Sequence, residues 1–454
     1  MSEAAPNHDA KLTRGDIRGH LIKQTTPMII GVAAIMSIGL VDSYFIGQLG
    51  ADQLAAISFI FPIGVALSSL GVGIMVGINS IVSRALGEGD RTKAVARANF
   101  GIVFALAMGI AMAAALLALL DPLFALMQAD ATTLPLIRIY MVPYAFGFPL
   151  LLVIMGVNGV LRGQGEANRT SIVSISYAVA NWILDPILIT GAFGFEGFGI
   201  AGAAYATIIG WGVGVGVAFW LLAQTRLPFR PSKLSECDFG TSIRSLGSVA
   251  GPAAFSNAIN PIGLSVLTAL VAAQGQGAVA GFGAAGRLQS FAVVPLLALS
   301  GAIGGIVGQN WGAGKADRAR QAVRWAAGFC VAYGLAIALV LVSGAQWFAT
   351  FFSDDPTVIA EFARYLQIAA WGYAGYGLLI VGNGALNAVD KAGWALLQSF
   401  GRVFLVMLPV AWLLRPAWGS DAIYTAELAA NVLGGAVALT IVWRILHRHG
   451  DNDA

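Results

Sequence analysis

Two aspartates lie inside long apolar stretches of the sequence. Asp42 follows the run IGLV, and Asp185 stands in NWILDPILI, four residues after Asn181. A charge in a bilayer costs at least about 2.5 kcal/mol on insertion scales, so such residues are candidates for function. Buried paired acids exchange protons, and carboxylate and amide oxygens bind hard cations. We predict that these three residues bind a coupling ion, H+ or Na+, and act as metal ligands only if the ion is sodium.

The backbone around Asp185 favours the same interpretation. Asn181 and Asp185 share one helical face at their spacing. Pro186 follows Asp185 directly and cannot donate a backbone hydrogen bond, so it weakens the helix and frees carbonyl oxygens there. Asp42 and Asp185 lie at similar distances from the outer ends of their predicted helices, and we expect them at one membrane depth. A simpler role, hydrogen bonding between helices, could be met by Asn or Ser without the charge.

The other charged residues in the apolar stretches are Arg287 and Arg402. Long basic side chains often extend to the interface or bond carbonyl oxygens, so we predict structural roles for both. No histidine proton relay is predicted, because every histidine lies in a tail or at a helix edge. The histidines are His8, His20, His447 and His449.

Composition identifies the elements that must position these residues. Apolar residues make up 57% of the chain and charged ones 11%, and the mean hydropathy is +0.77. These values are typical of an all-α integral membrane protein. Twelve apolar runs are long enough to cross about 30 Å of hydrocarbon. They lie at about 21–46, 53–83, 96–119, 134–158, 170–191, 200–223, 246–273, 278–308, 325–345, 360–386, 393–414 and 425–446.

The chain contains one module twice. Residues 27–161 and 252–386 align without a gap at an offset of 225, which pairs Tyr140 with Tyr365 and places Leu267 and Val410 opposite the two acids. An even number of helices per copy makes the repeat parallel, with the working cavity between two six-helix lobes. The predicted divisions are a tail (1–20), an N-lobe (21–224), a linker (225–242), a C-lobe (243–446) and a tail (447–454).

Basic residues indicate the orientation. Of 26 Lys and Arg, all but five lie on one predicted face, and the opposite face keeps Arg138, Arg364 and Arg415. The protein is therefore expected in the plasma (inner) membrane, with both termini cytoplasmic and no cleaved signal peptide. The net charge of +3 is accounted for by these loops, so nucleic-acid binding is not expected.

Other functions find little support in the sequence. The Gly-rich turns GEGD and GAGK follow apolar helices and lack the spacing of a phosphate loop, so no nucleotide binding is predicted. Cys237 and Cys330 are too far apart in this topology for a disulfide. The spans hold no cluster with nucleophile or metal spacing, so we predict neither an enzyme nor a bound cofactor.

The string VDSYFIGQLG, the Gly-rich turns after helices 2 and 8, and NWILDP together resemble the multidrug and toxic compound extrusion (MATE) family, in its DinF-like branch. The resemblance covers nearly the whole chain. It implies a multi-pass transporter that exports bulky small molecules, often lipophilic and cationic. Export would be coupled to protons or sodium by antiport, with the lobes alternating between inward-open and outward-open states.

The resemblance also assigns residues. Asp42, Asn181 and Asp185 match the coupling residues of that branch, Tyr140 matches a neighbouring hydrogen-bonding tyrosine, and Pro27 matches a proline where helix 1 bends.

Thr207 is our candidate for a further polar ligand. Related branches carry acids on helices 7 and 10, whereas this chain has amides there, so a second-lobe coupling site is not expected. The candidates for a substrate cavity are Asn158, Asn257, Asn260 and Asn383.

Two rival interpretations remain open. A flippase for lipid-linked precursors can share a twelve-helix repeat, and Arg287 or Arg402 in the cavity would suit its anionic pyrophosphate group. A non-transporting membrane scaffold would have no need for buried acids at matched depth.

Overall fold

The computed structural model describes residues 10–130, 132–192, 194 and 196–448, and within these ranges the chain forms helices and no strand. The tails beyond them, with His8 and His449, lie outside the described residues. The spans are α1 (Ile17–Gly47), α2 (Ala51–Glu88), α3 (Arg91–Leu126), α4 (Thr133–Gly163), α5 (Ala167–Asp185, continued by a π-helical turn Pro186–Thr190), α6 (Ile200–Ala223), α7 (Phe239–Ala272), α8 (Gln276–Ala292 and Val294–Gly312), α9 (Ala316–Ser343), α10 (Pro356–Ala369 and Tyr373–Ala388), α11 (Ala392–Phe400, π-helical Gly401–Met407 and Leu408–Trp418) and α12 (Ser420–Arg448).

Twelve helices in two lobes are thus confirmed, although several are broken. Ten of the described spans are apolar and long enough to cross a membrane, and α8 adds an eleventh with a bend of 43° at Val293. The remaining span, α10, is divided by a 3-10 turn at Ala370–Gly372. Apolar periodicity predicted where these spans lie but not these breaks, because a broken span keeps the same composition as a straight one.

Acidic caps begin several of the helices. Asp16, Asp90 and Asp238 precede α1, α3 and α7, and each accepts a hydrogen bond from a backbone N–H three residues later, at 2.8, 2.8 and 3.2 Å. Such caps satisfy donors that the first helical turn leaves unpaired. The bonds also lower the pKa of the Asp238 carboxyl. Within each helix, backbone N–H groups donate to carbonyl oxygens of the same helix, because the bilayer offers no water to bond them.

The lobes touch each other near the side of the molecule where α1 begins and α12 ends, which we call the closed face. A Cβ at Gly87 of α2 would lie 2.2 Å from the Gln309 carbonyl oxygen of α8, and one at Gly312 would lie 2.2 Å from that of Arg84. The lobes are also linked by Ser80, whose hydroxyl donates to the Asn387 carbonyl at 2.6 Å. Close packing at this face therefore depends on glycine.

The opposite side, which we call the open face, is much less packed. Along α2, only Ala56 and Ile60 are buried between Ala51 and Leu67, whereas most residues from Ser69 to Gly87 are buried. Since α2 packs on α7 and on the second half of α8, this gradient shows that the lobes diverge towards the N-terminal end of α2. The lobes are therefore packed less closely at that face.

A short N-terminal segment lies between the lobes at the closed face. Leu12 is buried in a 3-10 turn, Lys11–Thr13, that precedes α1. Its backbone N–H donates to Gln309 Oε1 at 3.0 Å, and Gln309 Nε2 donates in turn to the Gly163 carbonyl at 2.7 Å. Lys11 pairs with Glu166 at 2.7 Å. Residues 10–16 thus join both lobes, in a region where the sequence predicted only a tail.

Candidate ion site in the first lobe

Four helices bring the predicted coupling residues together. Asp42 comes from α1, Asn181 and Asp185 from α5, Thr207 from α6 and Tyr140 from α4, and these helices pack on one another in the first lobe. Asp185 is 0% and Asn181 2% exposed, and Asp42 is half-buried. The carboxyl groups of Asp42 and Asp185 are close enough to act on each other. The two acids therefore face the lobe interior and not lipid.

Thr207 and Tyr140 complete the cluster. Asn181 Nδ2 donates to Thr207 Oγ1 at 3.5 Å, and the Tyr140 hydroxyl lies near enough to interact with Thr207. The Tyr140 ring stacks on Tyr144 with centroids 5.6 Å apart, and Tyr144 meets Trp211 edge-on at 5.1 Å. These aromatic contacts fix the tyrosine against the polar cluster.

The helix changes form at Pro186. The α-helix ends at Asp185, and a π-helical turn covers Pro186–Thr190. The carbonyls of Leu188 and Ile189 accept hydrogen bonds from Phe198 and Gly199, at 2.7 and 3.1 Å. Carbonyl groups of the turn are thus already bonded to the loop before α6. The side-chain oxygens of the cluster are the better candidates for ion ligands.

The cluster contains more acceptors than donors. Both oxygens of Asp185, one oxygen of Asp42 and the amide oxygen of Asn181 are buried without a hydrogen-bond donor. The ion pairs found among the described residues involve neither acid. Two bare carboxylates in contact repel each other strongly in a low dielectric. A proton or a small cation between them would remove that repulsion and satisfy the free oxygens.

The remaining predicted residues lie elsewhere. Pro27 is half-buried in α1, which continues through it without a break. Asn158 is 5% exposed and contributes little surface to any cavity. Asn257 is exposed, and its amide donates to Ala253 in its own helix at 2.8 Å. Asn383 bonds to Ser399 at 3.0 Å. The structure does not bring these residues to the acids.

The two arginines have different surroundings. Arg402 is 5% exposed and donates to Asn431 and to Asn260, in agreement with a structural role. Arg287 is exposed on α8, and none of the ion pairs among the described residues involves it.

Sequence reasoning missed one buried acid. Glu427 of α12 is 7% exposed and bonds to Gln289 and Tyr365 in the second lobe. The prediction that Asp42, Asp185, Arg287 and Arg402 are the four charged residues within the spans was therefore wrong. Glu427 lies two residues inside the predicted span 425–446, where charges usually reach the interface. The feature of the sequence that could have pointed to this acid was Tyr365, the repeat partner of Tyr140.

Known proteins share this architecture. The chain matches the MatE family over residues 27–187 and 252–413, two segments that begin 225 residues apart. A protein named FAD transporter from Shewanella oneidensis is 32% identical over 425 residues, 94% of either chain. The probable multidrug resistance protein YpnP of Bacillus subtilis is 26% identical over 95% of this chain and 94% of its own. A crystal structure of the Vibrio cholerae MATE transporter VcmN is 30% identical, with a TM-score of 0.91, over 95% of this chain and 97% of that one.

Proposed function

The chain belongs to the MatE family of multi-pass membrane transporters, and we propose that it is an ion-coupled exporter. Its coupling site is the Asp42–Asp185 pair with Asn181, Thr207 and Tyr140. The observation that carries this proposal is the buried cluster of carboxylate and amide oxygens without donors. A proton or a sodium ion fits it. With both termini cytoplasmic, as the basic residues predict, the open face is the outer one.

Helix α1 connects the acid pair to the contact between the lobes. Asp42 lies near its outer end, while Met28, 2% exposed, packs against Gly301 in the second half of α8. Pro27 directly precedes Met28, and its ring weakens the helix there. Ion binding at Asp42 and Asp185 would change how α1 packs on α5 and bend it near Pro27, so the lobe contact would respond. Coupling then requires that ion and substrate favour different states of the lobes.

The test uses purified protein in proteoliposomes loaded with a fluorescent lipophilic cation, under a proton gradient or a sodium gradient imposed separately. We expect one of the gradients to drive transport, and Asp42→Asn and Asp185→Asn to abolish it. Asp52→Asn is the matched control, because Asp52 is an exposed acid in the first turn of α2. Transport that persists in both folded variants would refute the assignment of the site.

A second substrate class is favoured by Arg287. This residue precedes Gly305 by 18 residues, five turns of about 3.6 residues, and Gly305 contacts Arg162 of the first lobe. In a straight helix this spacing would place the two residues on one face, and α8 bends by 43° between them. Arg287 is exposed in the outer half of α8, where the lobes diverge, and we infer that its charge faces the space between them and attracts an anion. A flat, phosphate-bearing molecule such as FAD, which the Shewanella oneidensis relative is named for, meets that requirement.

The same vesicles distinguish the two classes. We expect FAD export to fall by at least tenfold in Arg287→Gln and to survive in Arg287→Lys, while export of the lipophilic cation is unchanged. Equal FAD export in the wild type and Arg287→Gln would exclude this role. If neither compound moves under either gradient, the exporter proposal fails for both classes, and flipping of a labelled pyrophosphate lipid becomes the next assay.

A further inference from the structure

Three helices of the second lobe join their polar side chains in a closed ring. Gln289 Nε2 of α8 donates to Glu427 Oε1 at 2.9 Å. The Tyr365 hydroxyl of α10 lies 2.6 Å from Gln289 Oε1 and 3.0 Å from Glu427 Oε2. Tyr365 is 0% and Glu427 7% exposed. Each member thus contacts the other two, with Gln289 half-buried.

Counting hydrogens decides the state of this ring. Three hydrogen bonds need three hydrogens, and the amide of Gln289 and the hydroxyl of Tyr365 place one each within the ring. If all three contacts are hydrogen bonds, the third hydrogen belongs to the carboxyl group of Glu427. Reversing the oxygen and nitrogen of Gln289 changes the direction of the ring but not this count. With a bare carboxylate, Tyr365 can donate to Glu427 or to Gln289 but not to both.

None of the described charged groups around the ring is in ion-pair contact with Glu427, although the buried Arg402 acts on it electrostatically. Arg402 of α11 faces the same interior, but it donates to Asn431 and Asn260 and lies over the Tyr376 ring at 5.4 Å. Among the described residues, no ion pair includes Glu427. The contacts of Glu427 within the ring are therefore hydrogen bonds and not an ion pair.

Tyrosines surround the acid on its other sides. The Tyr373 hydroxyl is buried without a hydrogen-bond partner and lies within the electrostatic influence of Glu427. The Tyr424 ring meets Tyr365 edge-on at 5.2 Å, and its hydroxyl donates to Glu361 at 2.9 Å. Further out, Arg364 of α10 pairs with Asp421 of α12 at 2.7 Å. Tyr373 thus offers Glu427 a hydroxyl donor that has no other partner.

The internal repeat places this ring opposite the first-lobe site. Tyr365 is the repeat partner of Tyr140, while the positions equivalent to Asp42 and Asp185 are the apolar Leu267 and Val410. In the second lobe the acid comes from α12 instead. The same tyrosine position is therefore combined with an acid in both lobes, but on different helices.

We propose that Glu427, Gln289 and Tyr365 form a second proton-binding site, in the second lobe. When the proton leaves, the Oε2–H bond breaks and the proton passes to water. Tyr365 then turns its hydroxyl to the carboxylate and gives up its bond to Gln289, or Tyr373 supplies the new donor. Because Gln289 precedes the bend at Val293 by four residues, proton release loosens the outer half of α8 from α10 and α12. Only the contribution of this step to transport rests on the proposed function.

Infrared difference spectroscopy of the full chain in nanodiscs tests the proton directly. A protonated carboxyl group has a carbonyl stretch that a carboxylate lacks, so titration records which acids carry a proton. We expect Glu427→Gln to remove one such band, and the double variant Asp42→Asn/Asp185→Asn to retain it. A band unchanged in Glu427→Gln at every pH overturns the second site, whatever the transport assays give.

Stability separates a lost proton from a misfolded variant. The amide in Glu427→Gln can replace the acid in the ring, donating to Tyr365 and accepting from Gln289. We expect its Tm to stay near the wild-type value, whereas Glu427→Leu breaks the ring and lowers the Tm. Equal Tm losses in both variants would contradict the proton count. Loss of ion-driven export while the carbonyl band of Glu427 remains present would count against the first-lobe site alone.

Discussion

The closed face offers a sharp test, because it depends on two glycines that meet backbone from the other lobe. Gly312 of α8 lies against Arg84 of α2, and Gly87 of α2 lies against Gln309. We predict that Gly312→Ala weakens this face and shifts the protein towards the state that opens at the termini. The substitution leaves the first-lobe acids and the ring around Glu427 untouched.

The expected magnitude follows from the contact distance. A Cβ at Gly312 would lie 2.2 Å from the Arg84 carbonyl oxygen, whereas ordinary contact begins near 3.4 Å, so the helices must separate by about 1.2 Å. Backbone cannot move aside as a side chain can, and overpacking of this kind costs about 1–3 kcal/mol. Because this overpacking destabilises only the state in which the closed face is formed, the ratio of closed to opened states should fall by about 5- to 150-fold.

Spin-label distances across the closed face measure this ratio. Thr92 at the start of α3 and Gly393 at the start of α11 are exposed positions in different lobes. Labels would be attached to Thr92→Cys and Gly393→Cys after Cys237 and Cys330 are replaced by serine. We expect Gly312→Ala, and independently Gly87→Ala, to add a longer-distance population.

The control is Gly64→Ala in α2, where an added Cβ meets nothing within 4 Å. This variant should keep the wild-type distance distribution. If Gly312→Ala gives the wild-type distribution as well, or if Gly64→Ala changes it equally, the closed face does not depend on backbone contact at these glycines.

Two further predictions concern the N-terminal segment and the start of α4. Leu12→Ala removes a buried side chain from between the lobes and should weaken the closed face by about 2 kcal/mol. The same pair of spin labels would report this change. The control is Leu126→Ala, because Leu126 is 82% exposed. Hydrogen bonds from Thr132 and Thr133 lower the pKa of Asp130 to about 2 from its ordinary 3.8. This stabilisation is therefore complete above about pH 4 and lost as pH falls through 2. Asp130→Asn should speed amide exchange at Thr133 at neutral pH, and the difference from the wild type should disappear once the pH is well below 2. Equal rates at neutral pH would contradict the role of these hydrogen bonds.

Much of the first-lobe cluster could be predicted from local sequence. Asn181 and Asp185 share a helical face by their spacing. Asp42 is a charged residue within an apolar run, which makes it a candidate for function in any fold. Pro186 predicted a disturbed helix, and a π-helical turn begins there. The contact between Asp42 and Asp185 depends on the packing of α1 against α5, which spacing within one helix cannot give. The bonding of turn carbonyls to the loop before α6 is likewise a tertiary result.

By itself, the sequence determined that the chain crosses a membrane twelve times, that its two halves are parallel copies, and which half carries Asp42 and Asp185. Composition, periodicity and the repeat offset are properties of the chain alone. Only the tertiary structure decided that the lobes close at the face bearing the termini, and that Glu427 is held by Gln289 and Tyr365. These depend on which side chains meet at sequence separations of 62 and 138 residues, and contact between residues so far apart in the chain follows from helix packing.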